Sequence, residues 1–166
     1  MKASFRPRVL HDAALRPTEP AQVVETFLAA LAVQDLELAA ELVDEHLVYV
    51  NVGAPPIRGR RRLVACFEPL RRRGIGFEVY LHAIAANGDT VLTERTDVLT
   101  FGPLRFQFWV TGRFDVRDGR ITLWRDSFDY LDLARSVGRA VAGVVVPSLR
   151  PKAPGSPDVP PGRHSR

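Results

Sequence analysis

Thr93-Glu94-Arg95-Thr96-Asp97 is the stretch of sequence around which the rest of the chain is organised, and its pattern predicts the middle of a β-strand. Successive side chains of a strand alternate between its two faces, so Arg95 and Asp97 point in the same direction. The other residues on that face are Val91, Thr93 and Leu99. Because burial of a charge is costly unless the charge is paired, the two side chains form either a solvated ion pair or a pair that a pocket holds for chemistry.

Turn signals on both sides of this stretch divide the second half of the chain into strands. Asn87-Gly88, Gly102-Pro103 and Asp118-Gly119 are dipeptides typical of chain reversals. Alternation of apolar and polar residues predicts strands over residues 75–86, 90–101, 104–116 and 120–129. Side chains expected to share one face within each strand are Phe77, Val79, Leu81 and Ala83; Leu104, Phe106, Phe108, Val110 and Phe114; and Trp124, Asp126 and Phe128. Consecutive strands joined by short turns indicate an antiparallel meander.

Helical spacing of apolar residues predicts helices before and after the meander. The first helix starts near Glu19. Asp35 caps a second helix, whose side chains expected to face the core are Leu36, Ala39, Leu42 and Val43. A short strand over residues 47–51 follows, then a third helix over residues 58–73 that Pro69 would kink or end early, and a last helix over residues 131–146. Helices segregated from an antiparallel meander define an α+β fold, in which a strongly curved, mostly antiparallel sheet and three to four helices enclose a conical cavity.

The basic charge of the chain belongs to its two ends. The formal net charge is +4 and the pI is about 9.8. Residues 1–20 carry +2 and residues 150–166 carry +3, so residues 21–149 carry about −1. A protein that binds nucleic acid should have its basic residues on the folded face, so a nucleic-acid partner is not expected. We expect a flexible arm over residues 1–18, a single domain over residues 19–149 and a disordered proline-rich tail over residues 150–166.

The compartment expected from the sequence is the cytoplasm. Cys66 is the single cysteine, so an internal disulfide is excluded. No stretch is long and apolar enough to insert into a membrane, and the N-terminus lacks the apolar run of a secretory signal. The four histidines have no spacing typical of metal ligands, and no Gly-Lys-Ser/Thr follows Gly53 or Gly59, so the residues indicate neither a metal site nor a phosphate-binding loop.

Four further polar residues on predicted strands are candidates for a shared site with Arg95. They are Tyr49, Asn51, Asp97 and Asp126. Two carboxyl groups on either side of one guanidinium can differ in protonation, so that one serves as a general acid and the other as a general base. A hydroxyl and an amide two residues apart on a strand can both hydrogen-bond one water molecule. Such a site suits the opening of a strained ring by water, and an epoxide fits because the acid and the base act in one step.

Three motifs of the chain, taken together, resemble the limonene-1,2-epoxide hydrolase family. They are Tyr49-Val50-Asn51, Thr93-Glu94-Arg95-Thr96-Asp97 and Trp124-Arg125-Asp126-Ser127-Phe128-Asp129. Four other segments resemble one bacterial branch of that family, namely Ile57-Arg58-Gly59-Arg60, Gly76-Phe77-Glu78-Val79, Gln107-Phe108-Trp109-Val110 and Val145-Val146-Pro147-Ser148-Leu149. The resemblance covers residues 21–149 and implies a cystatin-like or nuclear-transport-factor-like α+β fold, a homodimer, and hydrolysis without a cofactor or a covalent intermediate.

The resemblance also implies a role for each candidate residue. Asp126 would be the base, Tyr49 and Asn51 would hold the water, Asp97 would be the acid and Arg95 would bridge the two aspartates. Trp124, Phe128 and Leu99 would line the apolar wall for the substrate. The implied reaction converts an apolar epoxide and water into a vicinal diol. The same residues leave open an epoxide-opening cyclase, an isomerase, or a ligand-binding module of this fold without catalytic activity.

Overall fold

The computed structural model describes residues 18–145 and residue 148, over which four helices and six strands form an α+β domain. Along the chain these are α1 (Pro20–Ala32), α2 (Leu36–Glu41), β1 (Val43–Asn51), β2 (Ile57–Arg58), α3 (Arg60–Arg72), β3 (Gly76–Asn87), β4 (Thr90–Phe101), β5 (Leu104–Arg117), β6 (Arg120–Ser127) and α4 (Tyr130–Val145). The predicted fold class is confirmed. The predicted arm and tail, Thr18 excepted, lie outside the described residues.

A six-stranded sheet in the order β2-β1-β6-β5-β4-β3 positions every candidate residue. Neighbouring strands are antiparallel except β1 and β6, which run parallel. The strands β3 to β6 form the predicted meander, and Gly88 and Gly102 adopt the positive φ angles that their turns require. The parallel pair brings Tyr49 next to Trp124 and Asn51 next to Asp126, although these residues are far apart in sequence.

The first strand is longer than the sequence predicted. β1 begins at Val43, whose expected place on the second helix is therefore wrong, because α2 ends at Glu41 and Val43 pairs with Ile121 of β6. Val43 is buried. Its apolar side chain therefore fits the inward face of a helix as well as the buried face of a strand. The cap of α2 is as predicted, since the Asp35 carboxylate accepts a hydrogen bond from the backbone N–H of Leu38 at 2.9 Å.

Three further details differ from the sequence prediction. A bulge between Leu81 and Ala83 shifts the alternation of β3, so Ala83 is exposed and Ile84 packs against the core instead. β6 ends at Ser127, so Phe128 belongs to the connection into α4 rather than to the strand. The third helix was expected from residue 58, but Arg58 belongs to β2 and pairs with Val48, and α3 begins at Arg60. Pro69 does not end α3 early, because the helix continues to Arg72.

The core lies between the sheet and the helices that cover one of its faces. α1 buries Val23, Val24, Phe27, Leu28 and Leu31 against the strands. The aromatic centre of this core is Trp124, which is 2% exposed and meets Phe27 edge-on with ring centroids 5.2 Å apart. Phe114 and Phe67 stack on the same indole. This packing fixes β6 at Trp124, two residues before Asp126.

The last helix covers an open edge of the sheet. β6 pairs with residues 111–117 of β5, so within the part of the chain that the structure describes the first half of β5 has no strand on that side. α4 packs along this part of β5, and the backbone N–H of Gln107 donates to Ser136 Oγ at 2.9 Å. Ser136 and Ala140 are buried on the contact face, which protects the edge from pairing with another chain. None of the helices over the described residues is long and apolar enough to cross a lipid bilayer.

Candidate active site

Arg95 lies at the centre of the site and is fully buried. Its Nε donates to Asp97 Oδ1 at 2.9 Å, and its Nη2 donates to Asp126 Oδ2 at 2.5 Å. The third contact is from Nη1 to Thr93 Oγ1 at 3.2 Å. The pair on β4 is therefore not a solvated ion pair, because one guanidinium bridges two carboxyl groups inside the protein.

The bridge crosses a whole strand. Arg95 and Asp97 belong to β4 and Asp126 belongs to β6, and β5 lies between them. The registers of the two strand pairs place Thr93, Gly112 and Asp126 in one row across the sheet. The Arg95 side chain follows this row to reach the carboxyl group of β6. The sheet therefore sets the distance between the two carboxyl groups.

Asp97 is buried beside Arg95 and has an unusual acidity. Burial raises the pKa of Asp97 to about 6, and the charge and hydrogen bond of Arg95 oppose this rise only in part. The neighbouring Asp126 raises the pKa of Asp97 further. Its strand neighbours are Val79 on β3 and Phe108 on β5, which are apolar. Asp97 thus has a proton available at a pH where an ordinary aspartate has none.

Asp126 is equally buried but is hydrogen-bonded on both oxygens. Oδ2 accepts from Arg95, and Oδ1 accepts from Nε1 of Trp124 at 2.7 Å. Burial raises the pKa of Asp126 above its ordinary value, and the charge and hydrogen bond of Arg95 and the indole N–H of Trp124 oppose this rise only in part. The indole N–H stabilises the ionised form of Asp126, and no such donor contacts Asp97 within the described residues. The two carboxyl groups therefore have unequal surroundings.

Tyr49 and Asn51 lie beside Asp126 because β1 pairs in parallel with β6. Asn51 Nδ2 donates to Tyr49 Oη at 2.8 Å. Tyr49 stacks on Trp124 with centroids 4.0 Å apart, and burial raises its pKa, so the phenol keeps its proton. The structure thus brings together all five residues proposed to act on the substrate.

The three predicted wall residues have different positions. Leu99 is half-buried on the same face of β4 as Asp97 and faces Phe106 across the sheet. Phe128 is half-buried and contacts Phe108, the strand neighbour of Asp97, with centroids 5.7 Å apart. Trp124 lies deeper than the sequence suggested, since its ring is in the core and its N–H contacts Asp126.

Two contributions to the site were missed from the sequence. Thr93 accepts a hydrogen bond from Arg95, and Trp124 donates one to Asp126. Both residues share a strand face with an aspartate or arginine two positions away, and this spacing is the signal that could have revealed them. Over residues 18–145 and residue 148, no group of three side chains from His, Cys, Asp and Glu is arranged to hold a metal ion.

Fold and site together define a class of α+β protein in which a buried aspartate–arginine–aspartate bridge lies beside a tyrosine–asparagine pair. Residues 18–139 match the limonene-1,2-epoxide hydrolase catalytic domain. Epoxide hydrolase EphG of Mycobacterium tuberculosis (strain ATCC 25618 / H37Rv) is 50% identical over 127 residues, which are 76% of this chain and 85% of the relative. The chain therefore belongs to the limonene-1,2-epoxide hydrolase family, as its motifs predicted.

One solved structure agrees with this assignment, and another shares the fold. A structure of an M. tuberculosis LEH-like epoxide hydrolase has a TM-score of 0.78 at 48% identity and covers 82% of this chain and 96% of that chain. A protein with a ketosteroid isomerase-like fold from Catenulispora acidiphila has a TM-score of 0.63 at 16% identity, covering 70% of this chain and 92% of that chain. The second likeness concerns the fold alone.

Proposed function

We propose that this chain adds water to an apolar epoxide in one acid–base step and releases a vicinal diol, using its own side chains and no cofactor. The observation that carries the proposal is the buried bridge from Asp97 through Arg95 to Asp126. Membership of the epoxide hydrolase family supports the class of reaction. The roles of single residues follow from hydrogen-bonding capacity and charge.

The attacking water would be held by three residues. The Asn51 amide donates to the Tyr49 hydroxyl oxygen, which leaves the phenol proton free to donate and Asn51 Oδ1 free to accept. A water molecule can then accept from Tyr49 and donate its two hydrogens to Asn51 and Asp126. Its remaining lone pair is available for attack on an epoxide carbon. Asp126 removes a proton from this water as the new C–O bond forms.

Asp97 would supply the proton for the leaving oxygen. Breaking the ring C–O bond leaves negative charge on the epoxide oxygen, and a carboxylic acid in contact with that oxygen neutralises it as it develops. The raised pKa of Asp97 makes the acid form accessible near neutral pH. Asp126 ends the step protonated and Asp97 ionised, so a proton must return to Asp97 before the next turnover.

Arg95 would balance the negative charge of the site throughout the step. One of the two aspartates is ionised before the step and the other after it, and the same guanidinium contacts both. Because the hydrogen bonds of Arg95 are made before the substrate arrives, little reorganisation is needed during the reaction.

The substrate would be apolar and would contact Leu99 and Phe128. The aromatic side chains beside these residues, Phe106 and Phe108, are half-buried and carry no polar group to bind a charged substrate. Trp124 would support the deep end of the wall through its contacts with Tyr49 and Asp126. The homodimer and the cytoplasmic location implied by the sequence stay predictions, and sedimentation at several concentrations would test the dimer.

Turnover of limonene 1,2-epoxide by the wild type and by Asp97→Asn and Asp126→Asn tests the proposal. Each variant should lose at least roughly 10²-fold in kcat, because general acid and general base steps each contribute about 10²–10⁴-fold. Asp118→Asn is the matched control, since this carboxyl group is exposed in the turn between β5 and β6 and should leave kcat unchanged.

Full activity of either active-site variant would refute the assigned roles. Product analysis separates the remaining alternatives. With limonene 1,2-epoxide, a vicinal diol supports hydrolysis and a rearranged carbonyl compound would mean isomerisation. With an apolar epoxide that carries its own hydroxyl group, a cyclic ether in place of the diol would mean that the same carboxyl groups direct cyclisation. Binding of the epoxide without any product would indicate a ligand-binding module.

A further inference from the structure

Gly112 lies directly under the bridge that joins the two aspartates. It is a buried residue in the middle of β5, paired with Thr93 on β4 and with Asp126 on β6. The apolar side chains before and after it on this face of β5 are Val110 and Phe114. Glycine in the interior of a strand weakens the strand and often marks the close approach of another group.

The group that approaches Gly112 is the guanidinium of Arg95. A Cβ atom at position 112 would meet Arg95 Nη1 at less than 3.0 Å, a separation that real Cβ atoms essentially never show. The same Cβ would lie 2.6 Å from Thr93 Oγ1 and 3.0 Å from Phe114 Cε2. Gly112 has no positive φ, so its backbone conformation alone does not explain the glycine.

The guanidinium could not move aside without losing its partners. Arg95 is fully buried, and its Nε, Nη1 and Nη2 all donate hydrogen bonds. A shift away from β5 would lengthen the contact with Asp126, because this contact is the one that crosses β5. A buried carboxylate that loses its cation is strongly disfavoured.

We propose that Gly112 is a positioning residue of the active site, because the missing side chain on β5 gives the Arg95 guanidinium room to cross from Asp97 on β4 to Asp126 on β6. This inference rests on the proposed function, since the bridge has a chemical purpose only if the two carboxyl groups act as acid and base. Gly112 itself does not touch the substrate. It acts through Arg95, whose charge and hydrogen bond lower the pKa of Asp126 against the effect of burial.

Gly112→Ala should lower kcat by roughly 10²-fold, the loss that a small misplacement of a catalytic group can cause. The variant should also change the pH profile of kcat/KM. If the guanidinium moves away from Asp126, the pKa of the base rises, so the acidic limb should shift to higher pH by roughly one unit. A variant that is only less stable would lower the melting temperature and leave the pH profile unchanged.

Gly76→Ala is the matched control for the loss of a strand glycine. Gly76 also lies within a strand, β3, and a Cβ atom there would meet the Thr100 side chain rather than any residue of the charged bridge. This variant should keep the wild-type pH profile. Suppose that the wild type turns over the epoxide and that the two aspartate variants are inactive. If Gly112→Ala then has an unchanged kcat and an unchanged acidic limb, the role of Gly112 alone is overturned. An inactive wild type or active aspartate variants would overturn the proposed function instead.

A thermal-stability cycle with Arg95→Lys provides a readout that does not depend on activity. Lysine has no Nη1, so its side chain leaves space above residue 112. Gly112→Ala should therefore lower the melting temperature much less in the Arg95→Lys background than in the wild type, which is the signature of two coupled residues. Equal losses in both backgrounds, or failure of both Gly112→Ala proteins to fold, would mean that Thr93 or Phe114 causes the collision and would contradict the proposal.

Discussion

At the scale of single residues, the site depends on unequal surroundings for two similar carboxyl groups. Asp126 accepts hydrogen bonds from the Trp124 N–H and from Nη2 of Arg95. Asp97 accepts one from Nε of Arg95 and lies between Val79 and Phe108. Both groups are buried, and burial raises the pKa of each. The hydrogen bonds differ, because the Trp124 N–H lowers the pKa of Asp126 and no such donor contacts Asp97 within the described residues.

Asp97→Asn should change how the stability of the protein depends on pH. The pKa of Asp97 is about 6 in the folded protein and about 3.9 in an unfolded chain. A raised pKa means that the protonated carboxyl group stabilises the fold below pH 4, and this contribution is lost as the pH rises through 6. Asparagine is always neutral, so the free energy of unfolding of the wild type relative to the variant should fall by roughly 1–3 kcal/mol between pH 4 and pH 7.

Urea denaturation at several pH values would measure this difference. Asp118→Asn is the matched control for the same change of side chain, because Asp118 is exposed in a turn and lies outside the charged bridge. If the wild type instead gained stability relative to Asp97→Asn as the pH rose, the pKa of Asp97 would be lowered rather than raised. That result would remove the basis for its role as the acid.

The sequence predicted which residues share a face, but not the contacts of their side chains. Alternation along the strands was sufficient to place Arg95 with Asp97 and Trp124 with Asp126. It did not show that the indole N–H of Trp124 turns toward Asp126, because rotamers depend on packing against Phe27 and Phe114. A glycine within the apolar face of β5 was a visible signal of a close approach, and its meaning required the register of three strands.

At the scale of elements, the long strands were predictable and the ends of short elements were not. β4 runs from Thr90 to Phe101 as predicted, since strong turn signals stand at both ends. Val43 fits a helix or a strand by hydrophobicity alone, and only its pairing with β6 decides. The bulge in β3 likewise depends on pairing with β4, so alternation alone could not predict it.

Ser136→Ala should loosen the contact between α4 and β5. The Gln107 N–H would lose the hydroxyl oxygen that accepts its hydrogen bond and would become a partly buried donor without that partner. Such a loss costs about 1–3 kcal/mol, so the amide hydrogen of Gln107 should exchange with solvent about tenfold faster or more.

Hydrogen exchange followed by NMR would test this contact, with Ser127→Ala as the control because Ser127 is exposed. Equal exchange rates at Gln107 in the wild type and in Ser136→Ala would show that α4 does not protect this edge of β5. The result matters for the site because α4 begins at Tyr130, two residues after Phe128, a proposed wall residue.

At the scale of the whole molecule, the parallel pairing of β1 with β6 completes the site. The order of helices and strands predicted the α+β class, because segregated helices and a meander have few compact arrangements. It did not show which strand β1 would join. The pairing of β1 with β6 brings Tyr49 and Asn51 to Asp126. This pairing depends on the tertiary packing of Tyr49 against Trp124 rather than on local sequence.

A single turnover in water labelled with ¹⁸O, with enzyme in excess over the epoxide, tests the central claim most directly. If Asp126 activates water and no bond to the protein forms, the diol from the first turnover carries one labelled oxygen and the protein carries none. If an aspartate attacks the epoxide instead, the first diol is unlabelled and the label is found in the carboxyl group of that aspartate. The first result is the one that the geometry of Tyr49, Asn51 and Asp126 predicts, and the second would contradict it.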